Sequence, residues 1–170
     1  MGGTFAVLTF LFGTLDMLSN HCATGCLAPS QIQGHYTVSA GTVFRREDPI
    51  GSEIFLRKDT ERMFGPFQVT YGLSATDMND YWVGVGASYR FTVTPDNTFI
   101  KIYAMPGLFA LGDGPSLGGP VVFRSGIEFG FETDGGIQYG ISYDHRSSSG
   151  FYETNAGIET LQFRVSIPTR

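Results

Sequence analysis

Three residues near the C-terminal end combine the groups of a serine hydrolase: His145, Ser147 and Glu159. An imidazole can accept the hydroxyl proton of a serine, and a carboxylate on the other ring nitrogen fixes the tautomer and steadies the imidazolium that forms. The chemistry such a trio performs is acyl transfer from an ester or amide. It requires all three side chains on one surface, so the elements that carry them decide whether the pattern means anything. The same residues also read as a polar rim, with no catalytic role.

From Gln33 onward the chain divides into eight stretches of period-two alternation bounded by turn residues. They run from about His35 to Phe44, Ser52 to Lys58, Phe64 to Ser74, Tyr81 to Val93, Phe99 to Leu111, Val121 to Phe131, Ile137 to Ser147 and Ile158 to Ile167. A bulge or kink is expected at Pro106-Gly107, because proline cannot donate to a ladder. No segment shows a helical period. Residues 1–33 read as a lead-in or partial signal segment, and 34–168 as one all-β domain, an eight-stranded antiparallel barrel.

The last two stretches form a hairpin centred at Tyr152, which sets His145 opposite Glu159. Directly opposed residues in an antiparallel pair are about 4.5–5.5 Å apart at Cβ. Ser147, two residues beyond His145, shares its face. That face is the apolar one: Ile137, Tyr139, Ile141 and Tyr143 precede them on one strand, while Leu161, Phe163 and Val165 follow Glu159 on the other.

Which way that face points follows from composition. The chain has 15 Phe, 8 Tyr and 23 Gly, but only 16% charged residues, against an ordinary value of about 25%. Lysine occurs only at Lys58 and Lys101, too sparse for a soluble surface. One face of each stretch is broad and aromatic. The other carries glycines, hydroxyls and mixed charges, including Arg90, Arg124, Glu128, Asp144, Arg146 and Arg164. Apolar outside and ion-paired inside is the inversion of a transmembrane barrel. Arg90, Arg124, Glu128 and Arg164 are then an interior network, Trp82 fills the lumen, and His35 is incidental. Long connections at 112–120 and 148–157 alternate with short ones at 59–62, 95–97 and 133–136, as outer loops alternate with periplasmic turns. The connection after the first stretch is expected to be long as well. A soluble lipid-binding barrel and a non-catalytic structural barrel are the competing classes.

No apolar run approaches the length of a membrane-spanning helix. A net charge of −5 without a Lys/Arg cluster gives nucleic acid no footing. Phe5 to Phe12 has the length of a signal-peptide core, but Met1-Gly2-Gly3-Thr4 lacks the positive charge that usually precedes one. Cys22 and Cys26 could close a small disulfide loop or remain thiols, and with His21 alone beside them they do not make a metal site.

The C-terminal region resembles the PagL family of outer-membrane lipid A 3-O-deacylases. The resemblance lies in His145-Arg146-Ser147, then Gly150, Asn155 and Glu159, in order, and is sharp over about Tyr139 to Ile167. It implies an eight-stranded barrel in the bacterial outer membrane and hydrolysis of the ester at position 3 of lipid A, the membrane anchor of lipopolysaccharide, with release of a 3-hydroxy fatty acid. Ser147 is then nucleophile, His145 base and Glu159 its partner; no metal or organic cofactor is implied, and a homodimer stays open. Where the family usually has asparagine after the serine, this chain has Ser148. That departure leaves Asn155, the backbone at Gly150 and Ser148 as candidates for stabilising the oxyanion. The chain ends Ile167-Pro168-Thr169-Arg170, whereas outer-membrane barrels commonly finish on an aromatic residue.

Overall fold

The computed structural model describes residues 4–23, 25–93, 97–153 and 156–170. A helix, α1 (Thr4–Asp16), runs into a π-helical turn at Met17–His21. A Cys22–Cys26 disulfide and a short strand, β1 (Pro29–Gln31), follow. Eight long antiparallel strands come next: β2 (His35–Arg45), β3 (Asp48–Phe64), β4 (Phe67–Thr76), β5 (Tyr81–Thr92), β6 (Thr98–Ala110), β7 (Val121–Glu132), β8 (Gln138–Ser147) and β9 (Ile158–Pro168). Each pairs with its sequence neighbour, β2 pairs with β9, and the sheet closes into a barrel. Closure removes the edges that an open sheet would leave unpaired in hydrocarbon.

Alternation decides what fills the barrel and what clothes it. Val38, Ile54, Val83, Ile141, Leu161 and Phe163 stand exposed on the outer wall. Inside, the outer end is plugged by Val43, Phe109, Leu117, Val122 and Ile158, with Phe55 and Trp82 below them. Trp82 donates its indole N–H to the Val122 carbonyl at 3.1 Å, so a ring expected in the lumen is anchored there. Beneath the plug, Glu53, Asp59, Glu128 and Asp144 meet Arg57, Lys101, Arg124, Arg146 and Arg164, all buried. Arg57 bridges Asp59 and Glu128 at 3.1 and 2.8 Å, and Lys101 holds Asp59 at 2.7 Å. Arg164 reaches Asp144 at 2.9 Å. With nearly balanced charge, the ions satisfy one another where water is excluded. Arg90 is half-buried at the opposite end from the plug, beside the short turns, and pairs with Glu132 at 2.7 Å. His35 is buried and engaged by the Gly136 carbonyl and the Gln138 amide, so it is a built part of the barrel floor and not incidental.

The structure corrects four expectations. The second stretch extends well beyond Ser52–Lys58, covering Asp48–Phe64. Its polar residues 59–62 resemble a turn, but Asp59 enters the ionic lumen, and the ladder shifts register between Asp59 and Met63. The chain reverses instead at Gly65-Pro66, where Gly65 takes a φ of 57°. The connection after β2 is just Arg46-Glu47, with Arg46 at a φ of 60°. Pro106-Gly107 makes no bulge: β5 and β6 keep one register on both sides, as Gly84↔Gly107 and Ala87↔Ala104 show. Finally, residues 4–16 are helical. Apolar residues at 6–8 and again at 10–12 fall on every side, so no period distinguishes helix from strand. The helix lies against β5, β6 and β7, and outward-facing Tyr89 and Ile102 are buried there.

Candidate active site

β8 and β9 pair in the register expected, His145 directly opposite Glu159. His145 Nδ1–H donates to Glu159 Oε1 at 3.1 Å. His145 and Ser147 are both buried although strand parity turns them outward. The other ring nitrogen, Nε2, is buried with no hydrogen-bond partner among the described residues, and so is Glu159 Oε2. A buried ring nitrogen without a partner carries an energetic cost, and such groups cluster where function needs them. The imidazole is therefore oriented on one side and available on the other. Contacts between nucleophile and base are often unmade in the absence of substrate.

Arg146, between them, points into the lumen, where its Nη1 meets Glu53 Oε1 at 2.8 Å and Ser74 Oγ lies at 3.4 Å. This tie anchors the strand segment whose two neighbours form the site on the opposite face. The backbone then turns left-handed at Ser149 (φ 53°) and Gly150 (φ 83°). The turn brings the Ser149 N–H to 3.4 Å from Ser147 Oγ. Ser148 is fully buried. Asn155 lies outside the described residues.

Sequence reasoning missed three features. Gly157 presses its backbone on the imidazole, and a Cβ there would lie 2.5 Å from His145 Cε1. We expect Gly157→Ala to tilt the ring off Glu159 and to reduce turnover about a hundredfold, the typical effect of an ångström-scale misplacement. The barrel should keep its heat-modifiable mobility on gels, and wild-type turnover would show that the contact is idle. The second feature is the Ser149 N–H, which depends on a loop conformation. The third is Phe123, which stands opposite Ser147 on β7. The Asp134-Gly135-Gly136 turn could have revealed it, since a hairpin centred on Gly135 yields the same pairing.

A closed eight-stranded sheet with an apolar wall and an ion-paired lumen is a transmembrane barrel of the outer-membrane type. The family model for lipid A 3-O-deacylase (PagL) matches residues 51–168. The chain belongs to that family, and its place is the bacterial outer membrane. Among solved structures, the crystal structure of the outer membrane enzyme PagL is similar at a TM-score of 0.65 and 17% identity, over 79% of this chain and 99% of that one. A de novo designed transmembrane β-barrel follows at 0.58 and 9% identity, over 81% and 95%. Neisserial surface protein A gives 0.57 and 12%, over 84% and 99%. At these identities the structures show the fold alone. No curated protein sequence matches the chain.

Proposed function

We propose that the chain is a serine esterase that hydrolyses the acyl ester at position 3 of lipid A and releases a 3-hydroxy fatty acid. The observation that carries this reading is the His145–Glu159 hydrogen bond on the lipid-facing side, with Nε2 unpartnered and Ser147 next along the same face. Family membership supports the substrate class.

In the acylation step, Ser147 Oγ attacks the ester carbonyl as its proton passes to His145 Nε2. The tetrahedral intermediate collapses, and the sugar hydroxyl leaves with that proton. In the second step His145 takes a proton from water, whose oxygen attacks the acyl-enzyme. The fatty acid departs and Ser147 regains its proton. Glu159 positions the imidazole and stabilises its charge throughout. Oxyanion donors come from the turn after the nucleophile: the Ser149 N–H, with Ser148, Gly150 and Asn155 as further candidates. These residues supply every proton transfer that the hydrolysis requires.

A site on the outer wall takes its ester from the bilayer itself, which fits an acylated glycolipid better than a soluble ester. The test is mass spectrometry of lipid A incubated with the detergent-solubilised chain. Loss of one 3-hydroxy acyl mass from the 3 position is expected. Unaltered lipid A with the barrel folded would overturn the reading.

A further inference from the structure

Beside Ser147 the outer wall carries an aromatic construction that hydrolysis alone does not require. The Phe123 ring stacks on that of Phe151, with centroids 5.5 Å apart and planes 10° apart. Phe123 faces Ser147 across the β7–β8 ladder, and Phe151 follows Ser147 by four residues. Phe151 is 68% exposed, a high value for a large apolar ring. It is nonetheless held in place. Its neighbour Tyr152 packs over Gly119, where a Cβ would come within 2.3 Å of the phenol ring. The Tyr152 hydroxyl accepts the Val121 N–H at 3.3 Å. The Phe151 N–H closes the turn onto the Ser148 carbonyl at 3.0 Å. An apolar ring is thus fixed at the outer rim, stacked on the residue directly opposite Ser147.

We propose that Phe123 and Phe151 form a wall that grips the first methylenes of the scissile acyl chain and sets chain-length selectivity at Ser147. The ligand class is a saturated fatty acyl group, and the inference rests on the serine esterase reading above. Side chains directly opposed across a ladder stand about 4.5–5.5 Å apart at Cβ. A chain leaving the ester carbonyl on the lipid side therefore passes the Phe123 ring almost at once. Stacking holds both rings in one plane orientation before substrate arrives, so little ordering remains to be done on binding. An ordinary interfacial aromatic anchors a barrel at the headgroup level. It would not change selectivity, which makes the two roles separable.

The experiment compares kcat/KM for myristoyl and butyryl p-nitrophenyl esters in detergent micelles, using wild type, Phe151→Ala and Phe151→Leu. The ratio favouring the longer chain should fall about tenfold in Phe151→Ala, equivalent to about 1.4 kcal/mol. The loss should lie mainly in KM, and Phe151→Leu should recover much of it. An unchanged ratio, whether both rates drop together or both hold, overturns the wall. If the wild type turns over neither ester, affinity for free 3-hydroxymyristic acid decides the matter, while the serine reading stands or falls on lipid A itself. Weaker binding by Phe151→Ala then supports the wall, and equal binding removes it.

Discussion

Ser147→Ala should abolish release of 3-hydroxy fatty acid from lipid A, lowering turnover by a factor on the order of 10⁴ or more. On the proposed mechanism, removing the hydroxyl removes the atom that forms the acyl-enzyme, and the neighbouring serines do not replace it. Ser148 follows the end of β8 and Ser149 lies on the left-handed turn, so neither holds the strand position that sets Ser147 on the His145 face. The substitution deletes one oxygen from a small buried side chain, so the barrel should fold as before. The measurement is lipid A mass spectrometry on matched amounts of folded protein, with heat-modifiable gel mobility as the folding control. Full release from a folded Ser147→Ala barrel would exclude this serine as nucleophile. The family assignment would survive that result, because it rests on the match over residues 51–168 and not on one side chain.

Glu53→Ala should destabilise the barrel by about 3–5 kcal/mol, the usual result of breaking a buried ion pair from one side. Glu53 receives Arg124 at 3.1 and 3.0 Å through both carboxylate oxygens, Arg146 at 2.8 Å and the Gln162 amide at 2.9 Å. Arg124 would retain Asp144. Arg146 would be left with the 3.4 Å approach to Ser74, its Nε and Nη2 already unpartnered among the described residues. A guanidinium so stranded must draw water into the lumen or shift the strand that carries it. That strand carries His145 and Ser147 on its other face, so activity should fall along with stability. The urea midpoint of unfolding in detergent measures the first effect, and lipid A turnover well below that midpoint measures the second. Replacing Glu53 and Arg146 together with apolar residues of similar volume should restore most of the stability, since no unpaired charge remains. A midpoint unchanged by Glu53→Ala alone would show that the lumen is wet and the network dispensable.

Much of this architecture was legible because a barrel wall obeys a local rule. Period-two alternation sorts residues to lumen or lipid without knowledge of any distant contact. By that rule alone Arg124, Glu128 and Arg164 fall to the interior, and Ile141 and Phe163 to the wall. The His145–Glu159 register needed only the centre of one hairpin. Boundaries were harder. Asp59 to Arg62 has turn composition, and its place in a 17-residue strand follows from ion pairs with Arg57 and Lys101, the latter on a strand far along the chain. The helix at Thr4–Asp16 is illegible for a different reason, since apolar residues on every side of it leave no period.

The candidate site divides along the same line. Residue types, their order and strand parity determined that an imidazole, a hydroxyl and a carboxylate share one lipid-facing surface. These are short-range properties, set by the two-residue repeat of a strand and the turn that joins two of them. Only the tertiary structure decided that Gly157 presses on the imidazole, that Arg146 is moored to Glu53 across the lumen, and that Tyr152 fastens one loop to another so that Phe151 stacks beside Ser147. The Arg146–Glu53 tie depends on barrel closure, and the other two on loop conformations, neither of which the two-residue repeat of a strand encodes.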